Sequence, residues 1–371
     1  MSTQTSKRQE DNFMGTKKKS WKKIVGVVLF IVLNVAVIGA TAANEFLGSN
    51  SAAELRDVNL MWWLIIPAIL FFIISTIANV YKYVLMIRNS FDDSGKKPSR
   101  SQIWKIAWRV VMLGKYYDNV TPAAIGGQPF QIYYMRKNSD LSAGHATSIP
   151  IFGMITGQIG FLVLAIPCFI VGTITGFRPG LMMLAWFGLL FYAFWPLMVA
   201  GVSYFPKQTT KFLQFLTKIL ARLRIVKNRE VALKKIESEV KEYAASVHMI
   251  MQTRGLFTNS VILSVVFQAT TSVIPYFVLT AFGGNMDFLS CFMTTMVVTS
   301  SVYFVPTPGN AGAAEGTFYL VFSSLSTGYV FWAMLMWRFF SYYIYVIIGP
   351  LIYLKMHLEN RKKKPDEHKK M

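Results

Sequence analysis

Charge is what this chain has little of. Asp, Glu, Lys and Arg make up 15% of its 371 residues, against 53% hydrophobic, a balance that excludes one soluble domain. Acidic residues are scarcer still, 18 against 38 Lys and Arg, for a formal charge of +20. That excess does not point to nucleic acid, because basic residues flanking apolar spans report orientation in a membrane. The only cysteines, Cys168 and Cys291, sit in apolar stretches without metal-ligand spacing, so they are expected to pack rather than to form a disulfide or redox pair. The four histidines are dispersed, with His145 opening an apolar span, His248 in a basic stretch and His357 and His368 in the tail. No metal cluster follows from them. No G-x-x-x-x-G-K-S/T, G-x-S-x-G or H-E-x-x-H occurs, which leaves ATP-driven transport within this chain and the common hydrolase chemistries without support. No cofactor is expected.

What the chain does have is apolar length. Six segments are long enough to span a bilayer, at about 24–43, 60–81, 145–172, 181–205, 257–282 and 329–354. Lys17 to Lys23 followed by Ile24 to Ala43 resembles a secretory leader, but the run exceeds a leader's apolar region and reads as an uncleaved first helix. Between the spans lie two interrupted apolar regions, 103–137 and 288–326, each carrying T-P-x-x-x-G near its middle: Thr121-Pro122 to Gly126, and Thr307-Pro308 to Gly312. Arms of about 12 to 16 residues at 1.5 Å per residue fall short of a ~30 Å hydrocarbon core, so they go in and come back. Both regions read as re-entrant helical hairpins.

The charge map orients this drawing. Segments 1–23, 82–118, 136–137, 207–254 and 355–371 hold 35 of the 38 basic residues and all fall on one side. The other side receives 44–59, with Glu45, Glu54, Asp57 and Arg56, then 173–180 with Arg178, and 283–287 with Asp287. The basic side is cytoplasmic, both termini included. Under that topology the hairpins enter from opposite faces, so 24–180 and 181–354 form an inverted repeat. The expected fold is an all-α polytopic membrane protein: about six transmembrane helices, two re-entrant hairpins, basic tails at 1–23 and 355–371, and cytoplasmic helices at 207–254. In that last stretch Leu233, Ile236, Val240, Tyr243, Val247 and Ile250 form one apolar stripe. With Lys211, Lys218, Arg222 and Lys234 it suits the anionic inner leaflet as a partner, or a connector packed on its neighbours.

Chain at membrane depth can break its helix only where it is buried in protein or lines a cavity, and paired breaks in corresponding halves mark a transporter's binding site. The alternative is two kinks stabilised by neighbouring helices. At each break Pro122 or Pro308 removes a backbone donor, and Gly126, Gly127, Gly309 and Gly312 permit a sharp turn. A half-helix starting there aims its N–H groups and positive end at an anion. Glu315 sits in the first turn of the second return arm, either capping its own helix or pairing with Arg338 in the last span. Arg338 is suited to a phosphate. Gln128 takes Glu315's place in the first hairpin, preceded by Lys115, Asp118 and Asn119 and followed by Gln131. Gly153-Met-Ile-Thr-Gly157 and Gly172-Thr-Ile-Thr-Gly176 have the spacing of close helix packing.

The stretch Asn119 to Met135, with Thr-Pro-Ala-Ala-Ile-Gly-Gly-Gln-Pro, and the stretch Val305 to Glu315, with Pro-Thr-Pro-Gly-Asn-Ala-Gly, resemble the lysylphosphatidylglycerol synthase transmembrane family. This is the flippase-like module of the multiple peptide resistance factor, and the resemblance covers about 20 to 355. It implies lipid handling in a bacterial cytoplasmic membrane, in a family whose fused members make aminoacylated phosphatidylglycerol and move it outward, countering cationic peptides. Their aminoacyl transfer resides in a soluble C-terminal domain, whereas only about 17 largely charged residues follow the last span here. The reading that results is a flippase for an anionic or aminoacylated phospholipid. Its alternative is phosphatidylglycerol lysyltransferase-type activity, alone or with a separate catalytic partner. A homo-oligomer or a separate lipid-modifying enzyme are the protein partners this leaves open.

Overall fold

The computed structural model describes residues 60–90, 98–122, 126–139, 141, 143–222, 255–325 and 329–367. Among them the chain is helical throughout, with no strand. Five helices are long and apolar enough to cross a membrane: Trp62–Asn89, His145–Ile174, Pro179–Met198, Leu256–Ala281 and Val330–Met356. They coincide with five of the six expected spans. The sixth, 24–43, lies outside the described residues, as do the tail 1–23 and the stripe-bearing stretch 223–254.

In chain order the helices are α1 (Ile65–Asn89), α2 (Arg100–Val120), α3 (Gly127–Asn138), α4 (Ala143–Ile174), α5 (Pro179–Tyr204), α6 (Pro206–Arg222), α7 (Leu256–Ala281), α8 (Phe288–Val302), α9 (Ala313–Phe322), α10 (Val330–Arg338) and α11 (Ile344–Glu367). Side chains cap two of the shorter ones. Ser99 Oγ accepts from the Gln102 N–H while Gln102 Oε1 accepts from the Ser99 N–H, and Asp287 Oδ1 accepts from the Ser290 N–H at 2.9 Å. Pro150 and Pro167 in α4, Pro196 in α5 and Pro275 in α7 lie inside long helices, as neighbouring helices permit in a membrane bundle.

Apolar residues face both ways. Ile66, Leu70, Ile73 and Ile77 on α1, at four- and three-residue spacing, are exposed, as are Leu190 and Leu197 on α5. A soluble protein does not spread such stripes on its surface, and lipid covers them without cost. The interior is dense. α1 packs on α7, α4 closes on α7 where Gly160 meets Ser264, and α5 meets α8 where a methyl on Gly188 would lie 1.9 Å from the Ser300 carbonyl oxygen. Ser300 Oγ donates to the Ala185 carbonyl across that contact.

Two helix pairs are broken by turns. α2 and α3 pack together across Thr121 to Gly126, and α8 and α9 across the segment containing Thr307 to Gly312. The return arms have 12 and 10 residues, ~18 and ~15 Å at 1.5 Å per residue. α2 is longer than expected at 21 residues, but its first half is anchored among charges: Lys105 and Arg109 clamp Glu359 of α11 at 3.2 and 2.7 Å. These bonds hold the Glu359 carboxyl below its usual range, Arg109 contributing most.

Candidate functional site

The shared T-P-x-x-x-G spacing encodes a turn whose threonine does specific work. Thr121 and Thr307 are both extended, with ψ of 144° and 152°, as a residue before proline must be. The Thr121 hydroxyl donates to the Tyr117 carbonyl at 2.7 Å and accepts from the Gly126 N–H at 2.8 Å. The Thr307 hydroxyl donates to the Ala311 carbonyl at 2.9 Å. Pro308 opens a short 3-10 turn, Pro308–Asn310, whereas Pro122 is exposed. Two glycines are required. Gly309 has φ of 58°, and a methyl on it would lie 2.3 Å from the Tyr342 ring; Gly312 has φ of 86°.

Each return helix begins against a carboxylate. Asp118 Oδ1 accepts from the Gly127 N–H at 2.9 Å, and Glu315 Oε2 accepts from the Gly312 N–H at 2.8 Å. Gln128 is the second residue of α3 and Glu315 the third of α9, an offset of one as expected, while the carboxylate at the start of α3 is Asp118, supplied by α2 before the turn. Both open alternatives for Glu315 hold at once: its other oxygen accepts from Arg338 Nε at 2.7 Å, with both side chains buried. Arg338 Nη2 donates to the Gly309 carbonyl at 3.3 Å, and the guanidinium lies 5.1 Å from the Tyr342 ring centroid.

The two tips meet. α2 packs on Pro308–Asn310, and Asn119 Nδ2 donates to the Tyr342 carbonyl at 3.4 Å. Beside this junction is a cavity of about 360 Å³ whose wall includes Lys82, Lys115, Asp118, Asn119, Gln128, Gln131 and Gln158 together with Gly309, Asn310 and Arg338. A further ~200 Å³ adjoins it through Lys115, Phe267, Gln268 and Ser341, with Ser75, Thr271, Ser272, Thr295 and Thr299 also in its wall. The first volume alone falls in the range of small-molecule sites, about 300–1,000 Å³. Of the expected site residues, Gln128, Gly309 and Arg338 line it. Thr121, Gly126, Gly127, Thr307 and Gly312 shape its tips, and Glu315 stands behind Arg338.

Two contributors escaped sequence reading. Lys82 falls within the basic stretch 82–118 expected on the cytoplasmic side, but α1 continues to Asn89 and leaves Lys82 buried, donating to the Gly153 carbonyl at 3.0 Å and Ser264 Oγ at 3.1 Å. The second is a π-helical turn, Phe339–Tyr343, directly after Arg338, a distortion that no residue type announces and that is frequent at functional sites. Gly153 and Gly157 both line the cavity, Gly153 also lying against Tyr83. Gly172 packs on Met182, and Gly176 serves the turn after α4 with φ of 70°. Among the described residues no His, Cys, Asp or Glu cluster could hold a metal ion.

The family model described as the lysylphosphatidylglycerol synthase TM region matches residues 23–349. The chain belongs to that family. It is a membrane protein with a membrane lipid-related function. The matched region runs from the first expected span into α11 and contains both broken helix pairs and the whole cavity wall. No curated protein matches the chain.

Proposed function

We propose that this family member is a lipid flippase that moves an anionic or aminoacylated phospholipid, of the lysylphosphatidylglycerol kind, across the bacterial cytoplasmic membrane. The observation that carries the reading is the polar cavity at the meeting point of two broken helices inside an apolar bundle. Three cations, Lys82, Lys115 and Arg338, and one carboxylate, Asp118, face it, a balance that favours a headgroup phosphate while leaving a carboxylate for an amine. Ionisable groups at such depth are expensive and mark substrate paths.

An inverted repeat of 24–180 and 181–354 is supported by how the helices pair. α1 packs on α2 as α7 does on α8, α3 on α4 as α9 does on α10, and the exchange is reciprocal, with α2 on α11 and α8 on α4. α1 and α7 pack on each other, where a two-fold relating the halves would pass. Return arms too short to cross support re-entrant hairpins, and rocking of one half on the other would open the cavity to each leaflet in turn. The distribution of basic residues supports a cytoplasmic location for both termini, and the exposed Trp104 and Trp108 of α2 suit that interface. α6, with Lys207, Lys211, Phe212 and Phe215 exposed, suits the anionic inner leaflet.

Headgroup translocation in proteoliposomes tests this, using reporter lipids with anionic, zwitterionic and aminoacylated headgroups. Translocation that depends on the headgroup and falls on Glu315→Gln plus Arg338→Gln is expected. A folded protein that moves none of them, yet forms an aminoacyl lipid from lysyl-tRNA and phosphatidylglycerol, would replace the flippase by a lysyltransferase.

A further inference from the structure

We infer that Lys82, with Lys115 beside it, binds the phosphodiester oxyanion of the headgroup, while Gln158 and Asn310 take hydrogen-bond donors on the substituent beyond that phosphate. This rests on reading the cavity as the transport site and assigns its parts. Lys82 is 3% exposed, and two of its three ammonium hydrogens go to neutral acceptors, the Gly153 carbonyl and Ser264 Oγ. Among the described residues no carboxylate forms an ion pair with it. The other cations have a carboxylate nearer to hand: Glu315 pairs with Arg338, and Asp118 lies three residues from Lys115 on α2. Lys82 and Lys115 line one cavity, and its single lining carboxylate, Asp118, forms no ion pair with Lys82 among the described residues. In a low-dielectric surrounding that arrangement is costly until an anion arrives.

The space beside the ammonium is open on the side it needs. Gly157 borders it, a methyl there would lie 3.7 Å from Lys82 Nζ, and nothing else lies within 4 Å. One residue further on, Gln158 is 5% exposed; its Nε2 donates to the Tyr303 hydroxyl, and its Oε1 has no partner. Asn310 Oδ1, held at the second tip by a residue with φ of 55°, also lacks one. Both residues line the same cavity. Two ammonium groups and two unpartnered acceptors fit a phosphodiester whose substituent carries hydroxyl or amine hydrogens. Arg338 is the weaker anchor, since its Nε and Nη2 are already engaged.

Binding of dioctanoyl-phosphatidylglycerol, dioctanoylglycerol and inorganic phosphate to the purified full chain in detergent tests the assignment. Lys82→Gln should weaken phosphatidylglycerol at least about tenfold, the scale of one charge-assisted hydrogen bond, and Lys82→Arg should restore most of it. Gly157→Ala keeps the charge and meets no other atom, so it should retain the melting temperature of the wild type while weakening the same lipid severalfold. Dioctanoylglycerol should discriminate among none of these proteins. Wild-type affinity in folded Lys82→Gln and Gly157→Ala would overturn the role of Lys82 and leave the transport reading standing. Inorganic phosphate competing as well as the lipid would make this a free-phosphate site instead. A wild type that binds no phosphodiester lipid would remove the transport reading and this inference together.

Discussion

The buried pair of Arg338 and Glu315 gives the sharpest test of how the second hairpin is held. Nε and Oε1 are 2.7 Å apart, with side-chain exposures of 5% and 2%. At an effective dielectric constant of about 20, Coulomb attraction at that distance is ~6 kcal/mol, most of which offsets the desolvation of both groups. The net value of the pair is therefore small, but removing one partner strands the other, at about 3–5 kcal/mol. Glu315→Gln keeps an acceptor for the Gly312 N–H and leaves Arg338 uncompensated; Arg338→Gln does the reverse. The double variant strands neither, so it should lie closer to wild type than either single variant. Unfolding of the detergent-solubilised protein in a denaturant titration reads this cycle, with lipid translocation measured in parallel on the same four proteins. Single variants within about 1 kcal/mol of wild type would refute the claim that the pair holds the tip. A double variant that regains transport along with stability would remove the two charges from the transport step.

Gly309→Ala should destabilise the second tip by about 1–3 kcal/mol, since it combines a positive φ with a 2.3 Å approach to Tyr342, and a wild-type melting curve would contradict that. Gly188→Ala should separate α5 from α8 through its 1.9 Å contact with the Ser300 carbonyl, at a cost of about 1–3 kcal/mol in the same assay. Thr121→Val leaves the Gly126 N–H without its acceptor and should cost about 1–3 kcal/mol, detectable as faster amide exchange at Gly126. The Glu359 carboxyl is held below its ordinary value of 4.5 by Arg109 and Lys105. A depressed folded value means that the clamp contributes fully above that ordinary value and is lost as pH falls through the depressed one. The stability gap between wild type and Glu359→Gln should therefore close in acid, and a gap constant with pH would refute it.

The long spans were legible because hydropathy over twenty residues is a redundant signal, and five expected spans recur, three with ends within about two residues and two with an end shifted by about seven or eight. The breaks were legible for a different reason: proline and glycine constrain the backbone wherever they stand, so Thr121-Pro122 and Thr307-Pro308 announce a turn without any tertiary information. Partnership was not legible in the same way. Glu315 could be paired with Arg338 because charged residues are rare beyond the tips, which left few choices. Lys82 could not be told from a lysine at a helix end, because a lysine within two turns of the interface can extend to water. Only the positions of Gly153, Ser264 and the cavity show that it does not. The π-turn after Arg338 lies beyond sequence reading altogether, since Phe339–Tyr343 contains no proline or glycine that would announce it.

The two tips solve one local problem with carboxylates that face different surroundings, and this asymmetry has a consequence. Asp118 and Glu315 each accept the first free N–H of a return helix, but Glu315 spends its other oxygen on a buried arginine while Asp118 lines the cavity beside Lys115. Asparagine caps a helix about as well as aspartate. Asp118→Asn should thus leave the unfolding midpoint within about 0.5 kcal/mol of wild type, unlike Glu315→Gln at about 3–5 kcal/mol. What it removes is the one carboxylate in the cavity wall. Transport should then shift in favour of anionic over aminoacylated lipid, because an extra amine loses its counter-charge while the phosphate keeps both lysines. Measuring the ratio of the two translocation rates in wild type and Asp118→Asn decides this. An unchanged ratio would show that Asp118 only caps its helix, and a stability loss equal to that of Glu315→Gln would show that the two tips are energetically equivalent after all.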